Sequence, residues 1–238
     1  MNRLSSTDLY RAEPSTRGGS RREPETMTTP GNIPRTAPQG KTEWRRRLVA
    51  GRRAVPEELR MAEAALLAEA VVAAARGATD PICCYVPAKD EPGSLAMLDA
   101  LRAAGHEVLL PVVPTDGAGA PEPRGPMNWA PYRGPRSLEP GAYGLHHPSG
   151  PGWGPAAVAT ADLVLVPALA VDRRGVRLGR GAGWYDRTLP LARPNTPLVA
   201  VVRDSEVVRA LPMERHDVLM TGVLTPLHGL RAFPLTVD

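Results

Sequence analysis

Lysine is almost missing from this chain: of 29 basic residues 27 are arginine, and only Lys41 and Lys89 are lysine. Phenylalanine occurs once, and the two cysteines, Cys83 and Cys84, stand side by side. Adjacent cysteines rarely bridge and two make no disulfide framework, so the expected compartment is a reducing cytoplasm, with both thiols packed in an apolar run. No run of 18 uncharged apolar residues occurs; the best stretch, Leu66 to Ala75, is short and carries Glu69, which excludes a membrane span. An apolar h-region is also lacking near Met1, so no secretory signal is expected. No basic stripe is flanked by aromatics. The arginines are interleaved with acids, giving a net charge of only +4 over 238 residues. With Ala, Pro and Gly also enriched, this is a compositional bias, and neither nucleic acid nor membrane is expected as a partner. No internal repeat is visible.

With 42% apolar residues the chain can bury a core. Residues 1–40 hold almost no large aliphatics, so burial cannot offset their ordering entropy, and a disordered tail is expected there. Its Ser and Arg content has the flavour of a transit peptide, which Asp8, Glu13, Glu23 and Glu25 oppose, and Met27 offers an internal start. From Lys41 the character changes, and residues 41–238 read as a single domain. Lys41–Arg53 reads as a basic helix with Trp44 and Leu48 on its apolar face. Pro56 opens a second helix, with Glu57 and Glu58 suited to the positive end of its dipole. Leu59, Ala62, Leu66, Ala70 and Val71 recur at helical spacing, and Gly77 stops it. Pro81–Val86 is a buried strand, Leu95–Ala104 a helix ended by Gly105, and Glu107–Leu110 a strand closed by Pro111. That is a strand–helix–strand crossover, right-handed and parallel by rule.

Between Pro111 and Pro155, 20 of 45 residues are Pro or Gly. So long a structureless loop is improbable in a domain, so a strand is expected near Met127–Tyr132, followed by an ordered excursion. Further strands are expected at Asp162–Pro167, Leu198–Val202 and Val218–Leu224, and helical stretches at Gly183–Leu191 and Ser205–Ala210. The sum is an α/β fold: an open, mostly parallel sheet with helices on both faces.

The stretch that carries chemistry runs from Val166 to Arg187. A buried strand ends at Pro167, and a loop then delivers Gly179, Gly181 and Gly183 just before a helix. Ligands of such sheets sit beyond the carboxyl ends of the strands. Glycines there let backbone N–H groups approach an anion, and Arg177 and Arg180 add full charges. The loop is not a P-loop, which needs Gly-Lys-Ser/Thr. Nor is it a dinucleotide fingerprint, because Trp184 stands where a glycine is required. A plain strand-to-helix turn with solvated arginines remains the other reading.

Arg177-Leu-Gly-Arg-Gly-Ala-Gly-Trp-Tyr-Asp186 closely resembles the signature of the 5-formyltetrahydrofolate cyclo-ligase family. The preceding Val166-Pro-Ala-Leu-Ala-Val-Asp-Arg-Arg-Gly175 fits as well. So do Lys41-x-x-x-Arg45, Tyr85-Val-Pro with Asp90-Glu91, and Leu211-Pro-x-Glu-x-His-Asp217. The resemblance spans about residues 41–226 in family order. It implies an enzyme that converts 5-formyltetrahydrofolate and ATP, with Mg²⁺, to 5,10-methenyltetrahydrofolate, ADP and phosphate. The chemistry explains the need for ATP. A formamide oxygen is a poor leaving group; phosphorylated, it can be expelled when the neighbouring N10 closes the ring.

The resemblance also implies roles. Lys41 and Arg45 would meet the ATP phosphates, together with Arg177, Leu178, Gly179, Arg180, Gly181, Ala182, Gly183, Trp184 and Tyr185. Arg180 and Tyr185 would act on the transferring group. Val86, Glu91 and Trp184 would contact the folate, and Asp186 and Asp217 would hold Mg²⁺. Each has a bland counterpart: a solvated basic face for Lys41 and Arg45, core packing for Tyr185, terminal acids for Asp186, Asp217 and Glu91. Trp129 is expected to pack, Asp172 to cap a turn, and His106 and His228 to be incidental. His216 could support Asp217.

Three positions depart from the family pattern. Ala182 stands where Gly or Lys is common, and costs strain if the backbone there needs positive φ. Trp184 replaces a tyrosine. His146-His147-Pro148 stands where Glu-Pro is usual, and lacks a third ligand that would make it a metal site. The departures keep two alternatives open: a paralogue that binds nucleotide or folate without turnover, and a sugar-phosphate isomerase on a similar fold. A monomer is expected.

Overall fold

The computed structural model describes residues 40–88, 90–115 and 125–234. The expected tail, 1–40, lies outside these apart from Gly40. Helices α1 (Lys41–Arg53) and α2 (Glu57–Ala74) come first, then β1 (Ile82–Cys83), α3 (Leu95–Ala103), β2 (Val108–Val112) and β3 (Asn128–Pro131). A hairpin of β4 (Leu138–Pro140) and β5 (His146–Pro148) precedes β6 (Leu163–Pro167), β7 (Ala170–Asp172), β8 (Arg177–Leu178) and α4 (Trp184–Thr188). The described chain closes with β9 (Leu198–Val201), β10 (Val207–Val208), β11 (Gly222–Thr225) and β12 (Gly229–Ala232).

The main sheet has seven strands in the order β12-β11-β9-β6-β1-β2-β3. From β11 to β2 every neighbour is parallel, and both edges are antiparallel. The chain leaves β1 in one direction to form β2 and β3, and fills the other side with β6, β9 and β11. The order therefore reverses between β1 and β6, and a crevice opens beyond their carboxyl ends.

Strand alternation divides the core. In β6, Leu163 and Leu165 join the layer under α2 and α3, with Leu67, Val71, Met97, Leu98 and Leu101. Val164 and Val166 face the other layer, with Ala157 and Val158 of the 3₁₀ turn Pro155–Thr160, and with Leu189. The same alternation sends Cys83 to one layer and Cys84 to the other, which explains why neighbouring thiols do not meet. α1 stands apart, with Trp44 packed on Ala170, Val176, Leu178 and Leu211. α3 ends in a Schellman motif: His106 N–H bonds the Leu101 carbonyl and Gly105 N–H that of Arg102, with Gly105 at φ +95.

Several expectations need correction. The α2 stripe holds at Val71, which is buried, and at Ala70, which packs on the core, but Leu67 is buried while Leu59 and Leu66 are exposed. β2 does not stop at Pro111. β1 has ended there, so the missing N–H of Pro111 breaks no parallel bond, while β3 pairs alongside it. The helix expected at Ser205–Ala210 is a 3₁₀ turn, Asp204–Glu206, followed by β10, which pairs with β7. α4 stops at Thr188 and a 3₁₀ turn covers Leu189–Leu191. The last parallel strand begins at Gly222 rather than Val218, and the edge strand β12 was not foreseen.

Burial pushes the Cys84 thiol up to about 12 and that of Cys83 higher still. At pH 8 the Cys84 thiolate is then on the order of one part in 10⁴. Ellman's reagent should find no reactive thiol in the native protein and two in denaturant; fast native labelling would contradict this core assignment.

Candidate functional site

Beyond the carboxyl ends of β1, β2 and β6 lies a cleft of about 1130 Å³. Tyr85 and Val86 reach it from β1, Pro111 and Val113 from β2, Pro167 from β6, and the β4–β5 hairpin supplies Leu145, His146 and His147. α1 contributes Lys41 and Arg45 from one face, being four residues apart. The loop from Arg177 to Asp186 forms the floor, and Glu91 and Asp217 complete the rim. Every residue assigned a role from sequence therefore lines this one cavity, including the catalytic candidates Arg180 and Tyr185.

The charged groups are matched. Lys41 Nζ donates to both oxygens of Asp217 at 2.8 Å and lies 3.3 Å from Glu214. Burial alone would raise the Asp217 carboxyl, but the Lys41 ammonium and the Glu214 backbone N–H outweigh it and hold it below the usual carboxylate range. Arg177 Nη2 donates to Asp186 at 2.6 Å, with its guanidinium 5.6 Å from the Tyr185 ring. Arg180, from the same loop, pairs with Asp90 and, at 3.2 Å, with Glu91. The second Glu91 oxygen accepts the Ala88 N–H at 2.9 Å, which fixes the carboxylate. Arg45 has no acid; its Nε donates to the Gly179 carbonyl at 3.0 Å.

The glycines divide the work. Gly181 (φ +111) and Gly183 (φ +69) carry the left-handed conformations, and exposed Ala182 stands between them. The methyl of Ala182 is thus tolerated where one at either neighbour would not be. A side chain at Gly183 would also lie 2.9 Å from Arg187 Nη1. Gly179 is not left-handed, but a β-carbon there would meet Arg177 at 2.8 Å.

Three buried donors around this loop have no acceptor: Arg177 Nε, Trp184 Nε1 and Tyr185 Oη. Burial holds the Tyr185 phenol well above its ordinary pKa, so it stays a donor. Trp184 is 8% exposed, with the Arg187 guanidinium 4.6 Å from its ring centroid. At this position the chain presents a buried indole N–H. These donors are enclosed behind the cleft wall, and the charge that faces the cleft comes from Lys41, Arg45, Arg177 and Arg180.

Other candidates behave as structural groups. Trp129 is fully buried. Asp172 accepts the N–H groups of Arg174, Val176 and Leu211, and so closes the β7–β8 turn. His228 pairs with Asp204 at 2.6 Å, away from the cleft. His147 holds the Pro148 carbonyl at 3.0 Å. Among the described residues, Glu214, His216 and Asp217 bring three ligand atoms within 4.8 Å of one another. Asp186 is not in that group, and neither are His146 and His147. The bonds of Asp90 with Arg180, of Glu214 with Lys41 and of Arg187 with the Ala182 carbonyl were not foreseen, although Asp90 and Glu214 lie inside the motifs given above and Arg187 is one helical turn from Gly183.

A switch-point cleft with a glycine–arginine loop facing a cationic helix defines an α/β enzyme site for phosphorylated ligands. The model of the 5-formyltetrahydrofolate cyclo-ligase family matches residues 37–226. A 5-formyltetrahydrofolate cyclo-ligase of Mycolicibacterium smegmatis is 47% identical over 82% of this chain and 98% of that one. The 5,10-methenyltetrahydrofolate synthetase of Aquifex aeolicus superposes with a TM-score of 0.62 at 25% identity, covering 83% of this chain and 95% of that structure. A synthetase from Mycoplasma pneumoniae shares the fold, at 16% identity and a TM-score of 0.59. The chain belongs to the 5-formyltetrahydrofolate cyclo-ligase family, and it is an enzyme of that type. This removes the isomerase alternative. Among the described residues no helix is long and apolar enough to cross a membrane.

Gly183→Ala should lose about 1–2 kcal/mol of stability in urea, from left-handed strain and crowding against Arg187. Ala182→Gly should change it by less than about 1 kcal/mol. Equal effects would mean the left-handed residues are misassigned.

Proposed function

We propose that this cleft transfers the γ-phosphoryl group of ATP to the formyl oxygen of 5-formyltetrahydrofolate and then positions N10 to close the ring. The products are 5,10-methenyltetrahydrofolate, ADP and phosphate. The carrying observation is the convergence of four cationic side chains, Lys41, Arg45, Arg177 and Arg180, with the backbone of the glycine loop in one cleft. Phosphate oxygens can accept hydrogen bonds from those groups, and the cations offset their charge.

Lys41, Arg45 and Arg177, with the backbone from Leu178 to Tyr185, hold the ATP phosphates. Arg180 and Tyr185 stabilise the oxygens of the group in transfer. Val86, Glu91 and Trp184 face the folate. The Glu91 carboxylate can accept the paired N–H donors of an aminopterin edge in place of its bond from Arg180. Releasing Arg180 from that bond turns its charge toward the phosphates. Water is kept from the activated oxygen by the indole of Trp184 and the ring of Tyr185.

Mg²⁺ fits the carboxylate oxygens of Asp217 and Glu214, which lie together, while Asp186 lines the same cleft outside that group and would reach the ion through a water or a phosphate. Asp186 and Asp217 each hold a cationic side chain, so a divalent ion would replace one positive partner with another. Bound there, it would neutralise charge on the phosphates. The expected cytoplasmic location and monomeric state are kept as part of this reading.

With 5-formyltetrahydrofolate and Mg-ATP, near-UV absorbance of the conjugated amidine product should rise only when ATP is present. Asp186→Asn should lower turnover by at least about 10²-fold and shift the folate KM by less than about threefold. No ATP-dependent rise from the wild type at high enzyme concentration would refute the reaction, and full turnover of Asp186→Asn would remove Asp186 from the site.

A further inference from the structure

Arg52 and Glu206 take no part in the cleft, yet they form the most enclosed ion pair among the described residues, their side chains 1% and 5% exposed. Arg52 donates from Nε and Nη2 to the two carboxylate oxygens at 2.6 and 2.7 Å, and from Nη2 also to the Ala168 carbonyl at 2.5 Å. Glu206 in turn accepts the Arg203 N–H at 2.9 Å, and the Arg203 guanidinium pairs with Glu63 of α2. Ala168 directly follows Pro167 of the cleft wall. The next residue, Leu169, donates its N–H to Leu178, where the glycine loop begins.

The helical register ties this pair to the site. Arg52 lies seven residues after Arg45 and eleven after Lys41, and at about 100° per residue all three project within roughly 40° of one another. Any rotation of α1 that displaces Arg52 therefore swings Lys41 and Arg45 by the same angle. The apolar contacts of α1, Trp44 and Leu48 on the third core cluster, are not directional enough to forbid that rotation. A two-pronged guanidinium–carboxylate contact is directional. The charge pair as such adds little stability, because buried ion pairs are often replaced by apolar residues without loss, but Arg52 and Glu206 also each pair with a buried backbone group.

We propose that Arg52 and Glu206 form a positioning pair that sets the rotation of α1, so that Lys41 and Arg45 meet the phosphates of ATP. This rests on the reading of the cleft as an ATP site. The decisive variant is the double substitution Arg52→Met with Glu206→Leu, which keeps the volume apolar and filled. It leaves the Ala168 carbonyl and the Arg203 N–H unpaired, so its thermal melting should fall by several degrees while unfolding stays a single cooperative transition. Calorimetric titration with Mg-ATP should show affinity weakened by at least about 10-fold. The KM for ATP should rise to match, while the folate KM and kcat at saturating ATP stay within about twofold. Wild-type Mg-ATP affinity in this folded variant would overturn the proposal, as would a proportional loss in every parameter. Should the double variant misfold, Arg52→Lys decides: it keeps the charge without the fork, and the same ATP-selective loss is expected, whereas wild-type binding overturns the idea. A wild-type protein that binds no Mg-ATP refutes the cleft reading and this proposal together. Wild-type binding with unaltered variants refutes this proposal alone.

Discussion

Four cationic side chains, Lys41, Arg45, Arg177 and Arg180, share one cleft, and each must be held in place before any phosphate arrives. Unmatched, two such charges about 4 Å apart would repel by roughly 4 kcal/mol at the dielectric of a protein surface. The fold avoids this by giving Lys41, Arg177 and Arg180 a carboxylate each, on Asp217, Asp186 and the Asp90–Glu91 pair, while Arg45 rests on the Gly179 carbonyl. In the proposed function, phosphate binding is an exchange of one anion for another. The donors lose little order in the process, because they are already oriented.

Topology is what brings these partners together. Because the strand order reverses between β1 and β6, the segments after those strands lie on one edge, one carrying Asp90 and Glu91 and the other the glycine loop. α1 brings its cationic face from a separate small core, and the buried Arg52–Glu206 contact links that helix to Ala168 at the end of β6. The two left-handed glycines, Gly181 and Gly183, let the loop turn between β8 and α4, so that Arg177, Arg180 and Tyr185 line one cleft.

Much of this was legible in the residues. α1 spans Lys41–Arg53 as expected because its basic composition changes sharply at both ends, and the short apolar Leu-Val-Leu-Val run 163–166, bounded by Asp162 and Pro167, reads as a buried strand. The glycine motif located the cleft, since backbone that must approach an anion leaves a compositional mark. What failed did so for physical reasons. α2 is so rich in alanine and leucine that periodicity cannot choose its buried face. Ser205–Ala210 has no strong propensity, and pairing with β7 decided it. The tolerance of Ala182 depends on which neighbours take positive φ, and the pairing of Arg180 with Asp90 joins residues 90 apart. No local pattern encodes either.

A structure of the protein with Mg²⁺ and a non-hydrolysable ATP analogue tests the anion exchange most directly. The phosphates should lie against the loop from Gly179 to Gly183, within hydrogen-bond reach of Arg177 and Tyr185, with Lys41 moved from Asp217 toward them. Phosphates bound elsewhere, or bound with all three carboxylate pairings undisturbed, would contradict the account.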